Sequence, residues 1–328
     1  MATAASPTVA TAPERATAIG ERMSVRVINQ LGPKAAEAMR AALPDVEVIE
    51  AGADPLPPDL RADVLFGGWG PRSLEYAQRV GWVHLAGTGV DNFPPELFDG
   101  RTVTCARGAS AIPISEFVLA AMLAFEKRLP ETWIHEPPEH WNFAPLGWLN
   151  TRTLGLVGLG GIGLAVAARA LPFGMDVRAL RRRPEPSPLA GVEVVVSLEA
   201  LLPDADHLVL AAPATVRTRH LIDAHALELV KPGVHLVNIA RGALVDQEAL
   251  RVALDDGRVA MATLDTVDPE PLPAGHWLYT HPKVRVSAHV SWASPAGMAR
   301  TLEIFVDNLS RYAAGEPVLH VVDADEGY

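Results

Sequence analysis

The chain has 328 residues, 49% of them hydrophobic and 20% charged, with a formal net charge of −11. That length supports two domains of ordinary size with ample core material, and the acidic balance argues against nonspecific binding to nucleic acid or an anionic membrane. One cysteine, Cys105, excludes an internal disulfide framework, fits a reducing cytoplasmic compartment and reads as a core filler.

Residues 1–22, rich in Ala, Thr and Pro, read as a flexible tail, because no basic start precedes an apolar core. From Val25 short apolar runs alternate with helix-like segments. VRVINQ, VEVIEAG, ADVLFGGW and WVHLAG read as strands, PKAAEAMRAAL and the stretch from Ser73 to Val80 as helices. Such alternation predicts a parallel sheet covered by helices. An apolar helix from Ile114 to Arg128 follows; its longest apolar stretch, Phe117 to Phe125, is too short to span a bilayer. A Pro- and Trp-containing loop leads to a second alternation. TLGLVGLG, MDVRALRR, HLVLAAP, GVHLVNIA, MATLDTV and VRVSAHV are its strands, and a last helix ends near Gly315. The fold class is therefore α/β, with two doubly wound parallel-sheet domains.

Gly158, Gly160 and Gly163 form G-x-G-x-x-G directly after a strand and at the start of a helix, the context that gives this motif its meaning. The first glycine permits the tight turn, the second a close approach of backbone to pyrophosphate, the third close helix–strand packing. Gly161 and Ile162 belong to the same dinucleotide-binding turn, and Pro213 follows a neighbouring strand as a further cofactor contact. An NAD site carries an acid about 20 residues on to take the ribose hydroxyls. Here the strand ends in Arg181, Arg182 and Arg183. Arg181 and Arg182 could grip a 2′-phosphate, which predicts NADP as preferred cofactor with NAD as a second possibility; a solvated charge run is the alternative.

Three residues then appear in order at the ends of apolar runs: Arg241 in NIARGALVD, Glu270 in LDTVDPEPLP and His289 in VSAHVSW. A planar guanidinium can hold a carboxylate and polarise an adjacent carbonyl. Histidine supplies a proton near neutral pH, and a carboxylate beside the imidazole fixes its orientation and favours its protonated form. The other histidines lack such a context. With a hydride carrier, these are the parts of a 2-hydroxy acid/2-keto acid oxidoreductase. No Cys/His cluster has metal-ligand spacing, and Asp204, Asp206 and His207 are accounted for by a loop entering a strand.

LAGTGVDNF, ASAIPISEFVLAAMLA, GLVGLGGIG, NIARGALVD and LDTVDPEPLP followed by VSAHVSWAS, in this order, resemble the D-isomer-specific 2-hydroxyacid dehydrogenase family over about Val25 to Val322. The resemblance implies two Rossmann-like domains with an active-site cleft between them. The dinucleotide-binding domain would comprise residues 104–293, and the substrate domain residues 23–103 and 294–328, the last helix returning to it. Arg241, Glu270 and His289 match the family's catalytic three. The backbone amides of Thr88 and Gly89 match positions that bind the substrate carboxylate, Ser110 a cofactor contact, and Asp265 the residue that holds the nicotinamide carboxamide. Relatives are usually homodimers joined through the nucleotide domain; Trp133 or Trp141 would then reach a neighbouring site, or simply pack.

Two departures bear on specificity. The arginine run replaces the common acid, and Trp69 and Trp292 would either narrow the pocket toward a small acid such as glyoxylate or hydroxypyruvate, or pack its wall. The leading expectation is an NADPH-dependent reductase of small 2-keto acids, with no nucleic-acid or membrane partner. The alternatives are a dehydrogenase of an unusual 2-hydroxy acid from a specialised pathway, and a dinucleotide-sensing corepressor-like protein.

Overall fold

The computed structural model describes residues 24–68, 72–183, 185–324 and 326; the expected N-terminal tail and Trp69 lie outside them. In chain order the elements are β1 (Arg26–Asn29), α1 (Pro33–Ala42), β2 (Glu47–Glu50), β3 (Val64–Gly67), α2 (Ser73–Ala77), β4 (Trp82–Leu85), β5 (Thr102–Cys105) and α3 (Ala111–Glu126). Then follow β6 (Thr153–Val157), α4 (Gly161–Ala170), β7 (Asp176–Leu180), β8 (Val192–Val195), α5 (Leu198–Leu201), β9 (His207–Leu210), α6 (Ala224–Leu229) and β10 (Val234–Asn238). The series ends with α7 (Gln247–Asp255), β11 (Val259–Leu264), β12 (Val284–Val286) and α8 (Pro295–Ala313). The chain divides into two compact units, one built from residues through Ala109 and from Met298 onward, the other from Ser110–Gly297.

The first unit is a parallel sheet in the order β2-β1-β3-β4-β5. Its central strands VLFG and WVHL are buried on both faces, which is why they read as continuous apolar runs rather than alternating ones. Most of α8 belongs here: Phe305 stacks on Phe66 with ring centroids 3.8 Å apart, and Leu309 is fully buried beside them. His84 is a core residue: burial pushes its pKa down to about 3, and its Nδ1 lies 2.7 Å from Thr104 Oγ1. Cys105 is buried, and that burial pushes its thiol up in pKa, consistent with a packing role.

The second unit is a seven-stranded parallel sheet in the order β12-β11-β10-β9-β6-β7-β8. Alternation along the strands distributes side chains to opposite faces. Leu154, Leu156, Val209 and Val237 pack with Val118, Met122 and Val166 of α3 and α4, whereas Leu208, Leu210 and Leu236 pack with Leu227, Leu250 and Leu254 of α6 and α7. The order reverses between β6 and β9, and such a switch point is where open α/β sheets bind ligands.

Some elements differ from expectation. Strands β5 and β8 and helix α5, each of four residues, were not read from the sequence. Helix α3 starts at Ala111, ahead of Pro113, because proline is tolerated in a first helical turn. It ends at Glu126, two positions before Arg128, whose φ of 51° is left-handed.

The expectation that histidines other than His289 lack a carboxylate context does not hold for His207. His207 Nε2 lies 3.2 Å from Glu126 Oε1, His207 Nδ1 lies 3.1 Å from His235 Nδ1, and His235 Nε2 lies 2.9 Å from Thr263 Oγ1. The carboxylate only accepts, so His207 donates from Nε2 to Glu126. Burial opposes the charge on Glu126, but the His207 hydrogen bond and the Arg152 guanidinium outweigh it and hold the carboxyl below its usual range. Asp206 pairs with Lys231 at 2.8 Å and Arg152 at 3.3 Å. Asp204 and Asp206 lie in the loop that enters β9, whose first residue is His207, as the sequence suggests. Beyond α3 the chain forms a long loop on which Trp133, Trp141, Phe143 and Trp148 are exposed. Its two ends are tied by Gly147 N donating to Glu126 O at 2.8 Å and Lys127 Nζ donating to Gly147 O at 2.7 Å.

Candidate active site

The dinucleotide turn is built by close backbone approach. Gly158 has a φ of 104°, and a Cβ placed on it would lie 2.7 Å from Ala211 O. A Cβ on Gly163 would lie 2.3 Å from Gly158 O, so the start of α4 sits directly on the turn. At Gly160 a Cβ would meet nothing within 4 Å, which leaves backbone and open space where a pyrophosphate must come close. No side chain caps α4; with Gly161 and Ile162 in its first turn, the free N–H groups and positive end of the helix dipole suit an anion.

At the tip of β7 no acid occupies the first positions. Arg181 Nη1 donates to Glu185 O and Pro186 O at 3.3 Å each, and Nη2 donates to Glu185 Oε2 at 3.2 Å. Arg182 beside it is exposed. Pro213 lies in the loop after β9, where its carbonyl accepts from Thr218 Oγ1 at 2.7 Å. Ser110 is the residue before α3.

Because β10, β11 and β12 are neighbours, the loops that follow them leave one sheet edge side by side. Arg241 follows β10, Glu270 lies in the loop after β11, and His289 follows β12. His289 Nδ1 and Glu270 Oε2 are 2.9 Å apart, with both side chains 37% exposed. Glu270 Oε1 accepts from Val267 N at 3.0 Å, which turns the other oxygen toward the imidazole. Arg241 Nη1 donates to Ala240 O at 2.7 Å, and its own carbonyl accepts from Asn238 Nδ2 at 2.8 Å.

His289 itself has a φ of 53°, an uncommon conformation for a residue with a side chain. Asp265 holds it there. Its carbonyl accepts from His289 N at 2.9 Å, while its carboxylate accepts from Ser287 Oγ at 2.6 Å and from Val290 N and Ser291 N at 2.9 Å each. Burial opposes the charge, and the Ser287, Ser291 and Val290 donors outweigh it, so the Asp265 carboxyl stays below its usual range. Sequence reasoning missed this anchoring role, since nothing local marks an acid at a strand end as a tie across sequence. Trp292 Nε1 donates to His289 O at 2.8 Å, and this tryptophan is 38% exposed.

The structure thus brings Glu270, His289, Asp265 and Trp292 together in the second unit. Thr88 and Gly89 belong to the first unit, in the loop after β4, where Thr88 Oγ1 donates to Ala106 O at 3.3 Å. Among the described residues no group of three His, Cys, Asp or Glu side chains is placed to hold a metal ion, and no helix is long and apolar enough to cross a membrane.

Residues 119–291 match the family model for the NAD binding domain of D-isomer specific 2-hydroxyacid dehydrogenases. A glyoxylate reductase of Thermococcus litoralis is 32% identical over 265 residues, covering 77% of this chain and 80% of that protein. This chain belongs to the D-isomer specific 2-hydroxyacid dehydrogenase family. A D-3-phosphoglycerate dehydrogenase of Methanocaldococcus jannaschii is 31% identical over 76% of this chain, which spans about half of that protein's length, 49%. The fold is also that of an NADPH-dependent glyoxylate/hydroxypyruvate reductase from Sinorhizobium meliloti solved with NADP and sulfate, at a TM-score of 0.80 and 26% identity, covering 93% of this chain and 100% of that one. Family members use a nicotinamide dinucleotide, and the open face at Gly160 above an uncapped helix start fits its pyrophosphate.

Proposed function

We propose that this dehydrogenase reduces a small 2-keto acid, of the glyoxylate or hydroxypyruvate type, to the D-2-hydroxy acid, with NADPH preferred over NADH. The observation that carries the reading is the 2.9 Å contact between His289 Nδ1 and Glu270 on the sheet edge that also bears Arg241. With Nδ1 taken by Glu270, Nε2 is the atom left to give a proton. Arg241 grips the substrate carboxylate with its planar fork and draws electron density from the adjacent carbonyl. A nicotinamide dinucleotide held at the Gly158–Gly163 turn would supply hydride to that carbonyl carbon. As the carbon–oxygen double bond opens, the oxygen takes the proton from His289 Nε2 and the imidazole is left neutral. Asp265 keeps His289 in its strained conformation and, through the resemblance, is also assigned to the nicotinamide carboxamide.

Arg181 and Arg182 at the tip of β7 support NADPH, as does the cofactor of the Sinorhizobium meliloti relative. The small substrate is supported by Trp292 beside His289 and by the glyoxylate reductase relative. The exposed aromatic loop after α3 supports a homodimer joined through the second unit.

Initial rates with glyoxylate, hydroxypyruvate, pyruvate and phenylpyruvate, each with NADPH and NADH, test this. We expect glyoxylate and hydroxypyruvate to be the best substrates, and kcat/KM with NADPH to exceed that with NADH by about tenfold or more, the worth of one charge-assisted contact. A preference for NADH would overturn the arginine reading. Faster reduction of phenylpyruvate would overturn the narrow pocket.

A further inference from the structure

We propose that Gln247 is a positioning residue for the His289–Glu270 pair, an inference that rests on the proton-donor role given to His289 above. Glu270 sits in a loop without strand or helix, and inside that loop only Val267 N holds its carboxylate. Something outside the loop must fix its backbone. Gln247, the first residue of α7, does so at both polar atoms of one peptide residue. Its Nε2 donates to Asp268 O, and its Oε1 accepts from Asp268 N at 3.5 Å. A primary amide is the side chain that offers donor and acceptor side by side for such a two-point grip.

The base of the grip is itself fixed. Asp246 caps α7, its Oδ1 accepting from Glu248 N and Ala249 N at 3.1 Å each. A second contact joins the same two segments. A Cβ on Gly242 would lie 1.9 Å from Val267 C and 2.4 Å from Asp268 N, so the backbone after Arg241 lies flat against the Glu270 loop. Arg241, Gly242 and Gln247 are one short stretch, NIARGALVDQ, and Asn238 ties it to the sheet by donating to Arg241 O. That stretch therefore sets the distance between the carboxylate ligand and the partner of the proton donor. The other side chain on Asp268, Arg219 at 3.7 Å, is an exposed ion pair whose charge is screened by water. Gln247 touches neither Glu270 nor His289 in any of these contacts and acts through the Asp268 backbone.

The test uses the full chain with glyoxylate and NADPH. Gln247→Ala and Gln247→Glu, the latter keeping size and acceptor but losing the donor, should each lower kcat by about tenfold to a hundredfold, the effect of misplacing a catalytic group. KM for glyoxylate and Tm should change little. In a Glu270→Gln background, adding Gln247→Ala should cost less than about twofold more, because residues acting through one another are not additive. Wild-type kcat in both single variants, or losses that multiply in the double variant, would overturn the proposal. His289→Ala run in parallel separates the two claims: if it leaves kcat intact, the proton-donor reading fails, whatever Gln247 does. A readout free of turnover is the Nδ1–H signal of His289 in 15N-histidine-labelled protein, assigned by its loss in His289→Ala. Gln247→Ala should shift it toward its position in Glu270→Gln; an unmoved signal contradicts the proposal.

Discussion

Replacing His289 with Ala is expected to lower kcat for 2-keto acid reduction by on the order of a hundredfold or more, the usual contribution of a general acid. The loss should fall on kcat because the parts proposed to bind lie elsewhere: the dinucleotide turn after β6 and Arg241 after β10, on their own strands. NADPH affinity, measured by fluorescence titration, should therefore stay at the wild-type value. The imidazole cannot be replaced by a neighbour. Among its hydrogen-bonding neighbours, Glu270 accepts from Val267 N on Oε1, and the buried Asp265 carboxylate accepts from three donors. Near-wild-type turnover in this variant would remove His289 from the mechanism.

The second large effect is expected at the dinucleotide turn. Gly160 has φ −86° and ψ −163°, values open to any residue, and a Cβ there meets nothing. Gly160→Val should therefore leave Tm near the wild-type value while weakening NADPH binding by about a hundredfold, as the valine stands where the pyrophosphate must meet backbone N–H groups. That factor is roughly the loss of one strong hydrogen bond to a charged group, about 3 kcal/mol. Gly163→Val is the contrast, because its Cβ would collide with Gly158 O at 2.3 Å and the turn itself must move, so Tm should fall as well. Unchanged NADPH affinity in Gly160→Val would mean that the dinucleotide does not use this turn.

What could be read from the sequence follows physical range. Strands such as VLFG and HLVL are buried on both faces and announce themselves as apolar runs. The glycine turn is legible because its constraint is local, and Arg241, Glu270 and His289 because each follows such a run. Strand β5, with two threonines in TVTC, and strand β8, with Glu193 in VEVV, carry too weak a pattern over four residues. The Glu126–His207–His235 chain joins residues 81 and 28 positions apart, so no window along the chain contains it. The same holds for Asp265, whose partners lie 22 to 26 positions on, and for Gln247, 21 positions from Asp268. The sequence displays the groups proposed to do chemistry; the groups proposed to aim them become visible only once strands are paired.

Reduction of a 2-keto acid to the D-2-hydroxy acid is tested most directly by following the hydride and the configuration together. Hydroxypyruvate would be reduced with NADPH carrying deuterium on one or the other face of C4, and the product analysed by mass spectrometry and chiral chromatography. The expected product is glycerate with deuterium on C2 from one labelled face only, all of it the D enantiomer. Unlabelled product from both cofactors, L-glycerate, or no product at all would contradict it.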